Sequence, residues 1–273
     1  MSIDLPAGEQ ASAATHRATW AMGDYARIAE EVMAPIGPLL VAATGIGPGD
    51  RVLDVAAGSG NVSIPAAKAG ASVVASDLTP ELLQRARMRA AQQHLALEYR
   101  EANAEALPFA DGEFDAVLSA IGVMFAPRHQ RAADELVRVC RSGGKLGVVS
   151  WTPEGFFGQM LATISPYRPT LQQGDPPAAL WGREDYVARL WGDRVGDLST
   201  RRGMLTVDRF DSTEAVHEYF KHHYGPTIEA YRHIADDPEL VATLDAELVE
   251  LARRYLTNGT MQWEYLLVTA TKR

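Results

Sequence analysis

Two carboxylates stand around a small-residue turn in this chain. Arg51-Val52-Leu53-Asp54-Val55-Ala56-Ala57-Gly58-Ser59-Gly60-Asn61 is followed by Ser72-Val73-Val74-Ala75-Ser76-Asp77. A β-branched run, a small-residue turn, a helix start and a second apolar run ending in a carboxylate form one βαβ unit with its ligand end marked. Gly58 and Gly60 remove Cβ atoms where the backbone turns and a ligand approaches, and Asp77 closes the second strand where a ribose would lie. A dinucleotide fingerprint reads Gly-x-Gly-x-x-Gly, but counting from Gly58 puts Ser63 at the third glycine, which argues against NAD. Asp54 would repel a pyrophosphate and suits a ligand whose tail is an ammonium group. S-adenosylmethionine (SAM) has that tail.

These residues resemble motif I of the class I SAM-dependent methyltransferases, an acidic residue followed by Gly-x-Gly-x-Gly, with Ala56 at the first glycine. The resemblance continues in order through Asn103-Ala104-Glu105-Ala106-Leu107-Pro108-Phe109, Phe114-Asp115-Ala116-Val117-Leu118-Ser119 and Leu136-Val137-Arg138-Val139-Cys140-Arg141-Ser142-Gly143-Gly144-Lys145-Leu146. It is close over residues 50 to 150 and nearest the ubiquinone/menaquinone-biosynthesis-type group, the methyltransferase domain 11-like branch. It implies SAM as cofactor and S-adenosylhomocysteine as product. Asp77 would hold the ribose and Leu78 the adenine face. Asn103 (commonly Asp in the family) would meet the adenine edge through its amide oxygen, and Ala104 through its backbone. Asp54, Ala56, Gly58 and Gly60 would surround the amino-acid tail, and Ser119 and Ile121 would border the reacting methyl. Trp20 and Tyr25, with His16, would close over the sulfonium, which an aromatic face attracts as it does other soft cations.

Candidates for proton transfer are fewer. His129 opens the helix after the fourth strand, and His222-His223-Tyr224 lies in a later insertion; His129, His223 and Tyr224 are the candidate bases, each with a plain solvated or buried alternative. The adjacent histidines have no cysteine nearby and no third ligand at helical spacing, so no metal is expected. An Asn-Pro-Pro-Tyr or Asp-Pro-Pro-Tyr signature of amino-group methylation on bases and glutamine is missing from the sequence. Trp151, Phe156, Phe157, Trp181 and Trp191 either line an apolar substrate pocket or hold a lid down.

With 273 residues, 47% of them apolar, the chain can bury a full core. A net charge of −9 repels phosphate backbones, so nucleic acid is disfavoured and a small-molecule acceptor favoured. Cys140 is the one cysteine, and reads as a buried thiol. Met1 to Trp20 lacks the order of a signal peptide and no apolar run is long enough to span a bilayer, so the cytoplasm is the default location. Oligomeric state is left open.

Residues 1–15 show no periodicity and are expected to be a flexible N-terminus. Residues 16–151 read as N-terminal helices followed by a Rossmann-like core, 152–198 as a lid insertion, and 199–273 as closing strands with a helical insertion over 212–258. The expected fold is α/β: a seven-stranded, mostly parallel, doubly wound sheet with the last strand antiparallel, plus helical lid insertions. The activity expected is methyl transfer to a small, apolar or aromatic molecule, with oxygen, nitrogen or carbon as acceptor atom. The alternatives are a catalytically silent SAM-binding regulatory or partner protein and, more remotely, a nicotinamide-dependent reductase.

Overall fold

Seven strands form a single sheet in the order β3-β2-β1-β4-β5-β7-β6. They are β1 (Arg51–Val55), β2 (Ser72–Asp77), β3 (Glu98–Glu101), β4 (Phe114–Ala120), β5 (Cys140–Trp151), β6 (Val195–Val207) and β7 (Met261–Lys272). β1 to β5 pair in parallel, while β7 runs antiparallel to both β5 and β6. The central strands are continuous apolar runs because helices cover both faces: Val52, Leu53, Val74, Val117 and Leu118 are all buried. Strand order reverses between β1 and β4, and at such a switch point the loops leaving the carboxyl ends part to leave a crevice. Val55, Asp77 and Ala120 end the three strands that face it.

This computed structural model describes residues 7–169 and 175–273. Residues 1–6 of the expected flexible segment lie outside the described residues. Residues 7–15 are helical: α1 (Ala7–Ala21) contains six alanines and no proline, and alanine-rich sequence favours helix without any apolar stripe. α2 (Tyr25–Glu31) and α3 (Ile36–Thr44) lead into β1. α4 (Ser63–Lys68), α5 (Pro80–Gln92) and α6 (His129–Val139) follow β1, β2 and β4.

The proline-punctuated segment after β5 contains two helices, α7 (Phe156–Ile164) and α8 (Glu184–Trp191), that the prolines hid. A further helix, α10 (Gly225–His233), separates α9 (Thr213–His223) from α11 (Pro238–Tyr255). Gly225-Pro226 reads as a break, yet proline in the first turn starts a helix as readily as it stops one. Trp151, Phe156, Phe157, Trp181 and Trp191 are fully or almost fully buried. Trp151 stacks on Phe157 at 4.7 Å and Phe156 on Trp263 at 5.3 Å. These rings fasten the insertions to the sheet.

Backbone contact between α3 and the turn after β1 sets the floor of the crevice. A Cβ at Gly37 would lie 1.7 Å from the backbone oxygen of Asn61, so only glycine lets the helix seat there. Gly37→Ala is expected to cost about 3 kcal/mol or more, since neither backbone can yield without moving the turn, and to lower the melting temperature by roughly 5–10 °C. A melting temperature within 1 °C of the parent would refute this seating.

Candidate functional site

A cavity of about 820 Å³, counting its open mouth, occupies the crevice. Asp77, Leu78 and Thr79 line it from the end of β2, Asn103, Ala104 and Glu105 from the loop after β3, Ala56 and Gly58 from the turn, and His16 and Trp20 from α1. The Asp77 carboxylate is 7% exposed and spans two backbone donors: Oδ2 accepts from Gly58 N–H and Oδ1 from Thr79 N–H, each at 2.8 Å. Binding of ribose and capping of the next helix were competing readings; the Thr79 bond closes a turn before α5 begins at Pro80 and is not a helix cap, and Asp77 lies in the cavity wall. Burial pushes the carboxyl above its usual range while those N–H groups pull it back. Removing Asp77 therefore costs stability as well as any ligand affinity. The Asn103 amide oxygen, which the resemblance assigned to the adenine edge, accepts from Glu105 N–H at 2.9 Å. Its second lone pair is what remains for a ligand.

A smaller chamber lies on the other side of Tyr25, lined by Asp54, Ala56, Ser59, Ala120 and Ile121. Asp54 is 1% exposed; Ser63 donates to its Oδ2 at 2.5 Å, and its Oδ1 is buried with no partner among the described residues. Burial first, and the nearby Asp77 charge after it, push this carboxyl up to about 7 against the pull of Ser63. A buried acceptor with a lone pair to spare could hold a cationic or N–H-bearing group. Ser63, the residue that breaks the dinucleotide fingerprint, is thus the group that orients Asp54. Ala56 and Ile121 both have positive φ, 54° and 66°, costly for side chains with a Cβ. They come together at Gly122, where a Cβ would fall 2.5 Å from the Cβ and the oxygen of Ala56. Gly60 does not line either chamber; its φ of 89° turns the chain, and a Cβ would press on Ala86 and Ile64. Ser119 is fully buried, donating to Val55 O at 2.7 Å and accepting from Val123 N–H at 3.1 Å. It joins β4 to β1 and does not face the chamber.

A third cavity of about 1500 Å³ adjoins the first, and the two share His16, Trp20, Phe125, Ala126 and Pro127. Met124, Leu161, Ala162 and prolines from the segment after β5 give it a mainly apolar wall. Trp20 stands edge-on to Tyr25, Phe125 and Tyr224 at 5.5, 4.7 and 6.0 Å, so the dividing wall is aromatic.

Of the three candidate bases, none presents a free basic atom to the shared wall. His129 lines the third cavity, but both ring nitrogens are engaged: Nε2 lies 3.2 Å from Met124 O and Nδ1 3.0 Å from the Tyr186 hydroxyl. The carbonyl only accepts, so Nε2 carries the proton and Nδ1 accepts from tyrosine. Burial holds its pKa down to about 4. His223 packs on Tyr219 with Nε2 3.4 Å from Arg27, outside the cavities. Tyr224 is 1% exposed, and burial drives its hydroxyl far above its ordinary pKa. His16, read in the sequence only as a cover, lines both cavities and has a depressed pKa, through burial first and the Arg168 charge second. Among the described residues no group of three or more His, Cys, Asp or Glu is placed to hold a metal ion.

Residues 53–148 match the family described as Methyltransferase domain. The chain is 70% identical over 274 residues to an uncharacterized protein of Mycobacterium tuberculosis strain H37Rv, with all of both chains covered. It is 40% identical over 112 residues to a demethylmenaquinone methyltransferase of Thermus thermophilus, covering 40% of this chain and 51% of that one. Its fold is that of the YcgJ protein from Bacillus subtilis (TM-score 0.59, 16% identity, 86% and 97% of the chains). The same holds for geranyl diphosphate methyltransferase in complex with SAM (TM-score 0.53, 19% identity, 88% and 85% of the chains). Residues 53–148 thus carry a methyltransferase domain, set in the fold those two structures share.

His129 gives a measurable signature. Folded it titrates near 4 and unfolded near 6.5, so the unfolded chain binds the extra proton between those values and stability falls as pH drops through that window. The whole span is worth about 3 kcal/mol. His129→Gln, which keeps a donor for Met124 O, should flatten the decline in urea-unfolding free energy between pH 7 and pH 4.5; parallel curves for parent and variant would show that His129 is not held neutral.

Proposed function

We propose that this protein transfers the methyl group of SAM to a small, apolar or aromatic acceptor. The observation that carries the reading is the aromatic wall shared by a polar, nucleotide-shaped cavity and an apolar one. A silent SAM-binding protein, the other reading, has no use for the second cavity. The Thermus thermophilus relative is named for methylation of demethylmenaquinone, but the match spans less than half of this chain, so it supports the cofactor half of the proposal and does not choose the acceptor.

The residues that would hold the cofactor line the first cavity and the chamber beyond Tyr25. Asp77 and Leu78 would take the ribose and adenine face, Asn103 and Ala104 the adenine edge, and the unpartnered Oδ1 of Asp54 the α-ammonium. When bound, SAM supplies an electrophilic methyl group on a sulfonium. Trp20, Tyr25 and Phe125 offer that cation π faces and exclude water where its charge is discharged. The two cavities orient donor and acceptor for in-line displacement, and orientation alone accounts for much of the acceleration in such reactions. Where the acceptor is a hydroxyl, His16 is the residue at the shared wall able to take its proton. Its depressed pKa keeps it neutral at physiological pH. Acidic overall charge leaves the molecule poorly suited to nucleic acid.

Calorimetric titration with SAM and S-adenosylhomocysteine, with NADH as control, tests the cofactor. Asp54 is held up to about 7, and only its ionised form pairs with an ammonium, so affinity should rise roughly eightfold from pH 6 to pH 7.5 with release of a proton. Asp54→Asn should weaken binding at least about tenfold and abolish that pH dependence. NADH binding in place of the adenosyl ligands would overturn the proposal. Supplying phenols, quinols and fatty acids and assaying S-adenosylhomocysteine separates enzyme from silent binder: turnover supports the first, cofactor binding without turnover of any class the second.

A further inference from the structure

Arg168 contributes the one cationic side chain among the described residues lining the apolar cavity. Its side chain is 16% exposed, and it is held from behind: Nε lies 2.6 Å and Nη2 2.5 Å from the same oxygen, Oε2 of Glu229. The other Glu229 oxygen accepts from the Thr19 hydroxyl at 2.6 Å. Glu229 thereby occupies the Nε/Nη2 edge and fixes the plane of the guanidinium. The opposite edge, formed by Nη1 and the second hydrogen of Nη2, has no partner among the described residues. A guanidinium presents five N–H donors in a fixed fork, and the edge left over matches the two oxygens of a carboxylate.

Burying that cation in an apolar wall is costly. A single-oxygen partner balances its charge but leaves donors unsatisfied. Asp175, the one carboxyl lining the same cavity, is influenced by His16, Glu105 and Arg128; its charge bears on the mouth beside α1 and the loop after β3, and it also lines the open groove between α6 and α8. Among the described residues nothing acidic besides Glu229 is paired with Arg168. The surrounding walls, Leu161, Ala162, Pro166 and Pro226, accept hydrocarbon.

We infer that the acceptor is an apolar molecule bearing a carboxylate, and that the free edge of Arg168 receives that carboxylate while Glu229 and Thr19 hold the guanidinium in place. The inference rests on the methyltransferase reading of the two cavities and adds the acceptor's chemical class. Arg168 is its specificity-determining residue, and Glu229 a positioning residue that acts through it.

The test uses the full chain saturated with S-adenosylhomocysteine and two pairs of probes that differ only in charge: 2-naphthoate with 2-naphthamide, and octanoate with octanamide. Each acid is expected to bind at least tenfold tighter than its amide. Arg168→Lys, which keeps the charge but not the fork, should remove at least tenfold from acid binding and leave the amides unchanged. Glu229→Gln, which removes the competing charge, should tighten the acids. Checking melting temperature for both variants separates misfolding from lost recognition. Acids and amides binding alike, or neither acid binding to a chain that holds S-adenosylhomocysteine, would overturn the inference, as would an acid preference that survives Arg168→Lys. Failure of S-adenosylhomocysteine itself to bind the parent would overturn the methyltransferase reading, and is read from its own titration before any probe is added.

Discussion

Asp77 ends β2 inside the protein, and a buried carboxylate must find donors. It finds them in the backbone of two neighbouring segments, the glycine turn after β1 and the turn that leads from β2 into α5. One side chain therefore sets the distance between the turn on one side of the crevice and the strand end on the other. The rest of the crevice inherits that spacing. Arg89 reinforces it from α5 by donating to Ser59 O at 2.7 Å and to Asn61 Oδ1 at 3.1 Å. Asn61 in turn donates to Ala29 O of α2 at 2.9 Å.

The parallel half of the fold was legible in the sequence because each of its signals is local. Strand β1, its turn and strand β2 lie within 27 consecutive residues, and the apolar runs are uninterrupted because both faces of the sheet are covered. Asp54, Asp77, Ala56 and Gly58 could be placed at the crevice for the same reason: their positions follow from where a strand stops. Ser119 and Gly60 sit in the same motifs but act on the protein itself, one joining two strands and one turning the chain. A motif marks a segment's position; it does not separate the atoms that face a ligand from those that hold the backbone.

The acceptor side was much less legible. Thr19 and Glu229 are 210 positions apart, and Arg168 and Glu229 are separated by 61; no local period connects them. Histidines drew notice by type, yet His129 spends both nitrogens on neighbours, while His16 matters because α1 carries it to a wall that two cavities share. The tryptophans were noticed for size and proved to be fasteners, since a large ring buries most area when it is wholly enclosed.

Ala13, His16 and Trp20 of α1 form part of the roof of the nucleotide-shaped cavity, and His16, Thr19 and Trp20 part of the apolar one. Arg17 ties the same helix to Glu101 at the edge of the sheet, and Thr19 ties it to α10. The two chambers thus share a single beam. Any displacement of that beam would reshape both at once, so the width of one chamber is not independent of the width of the other.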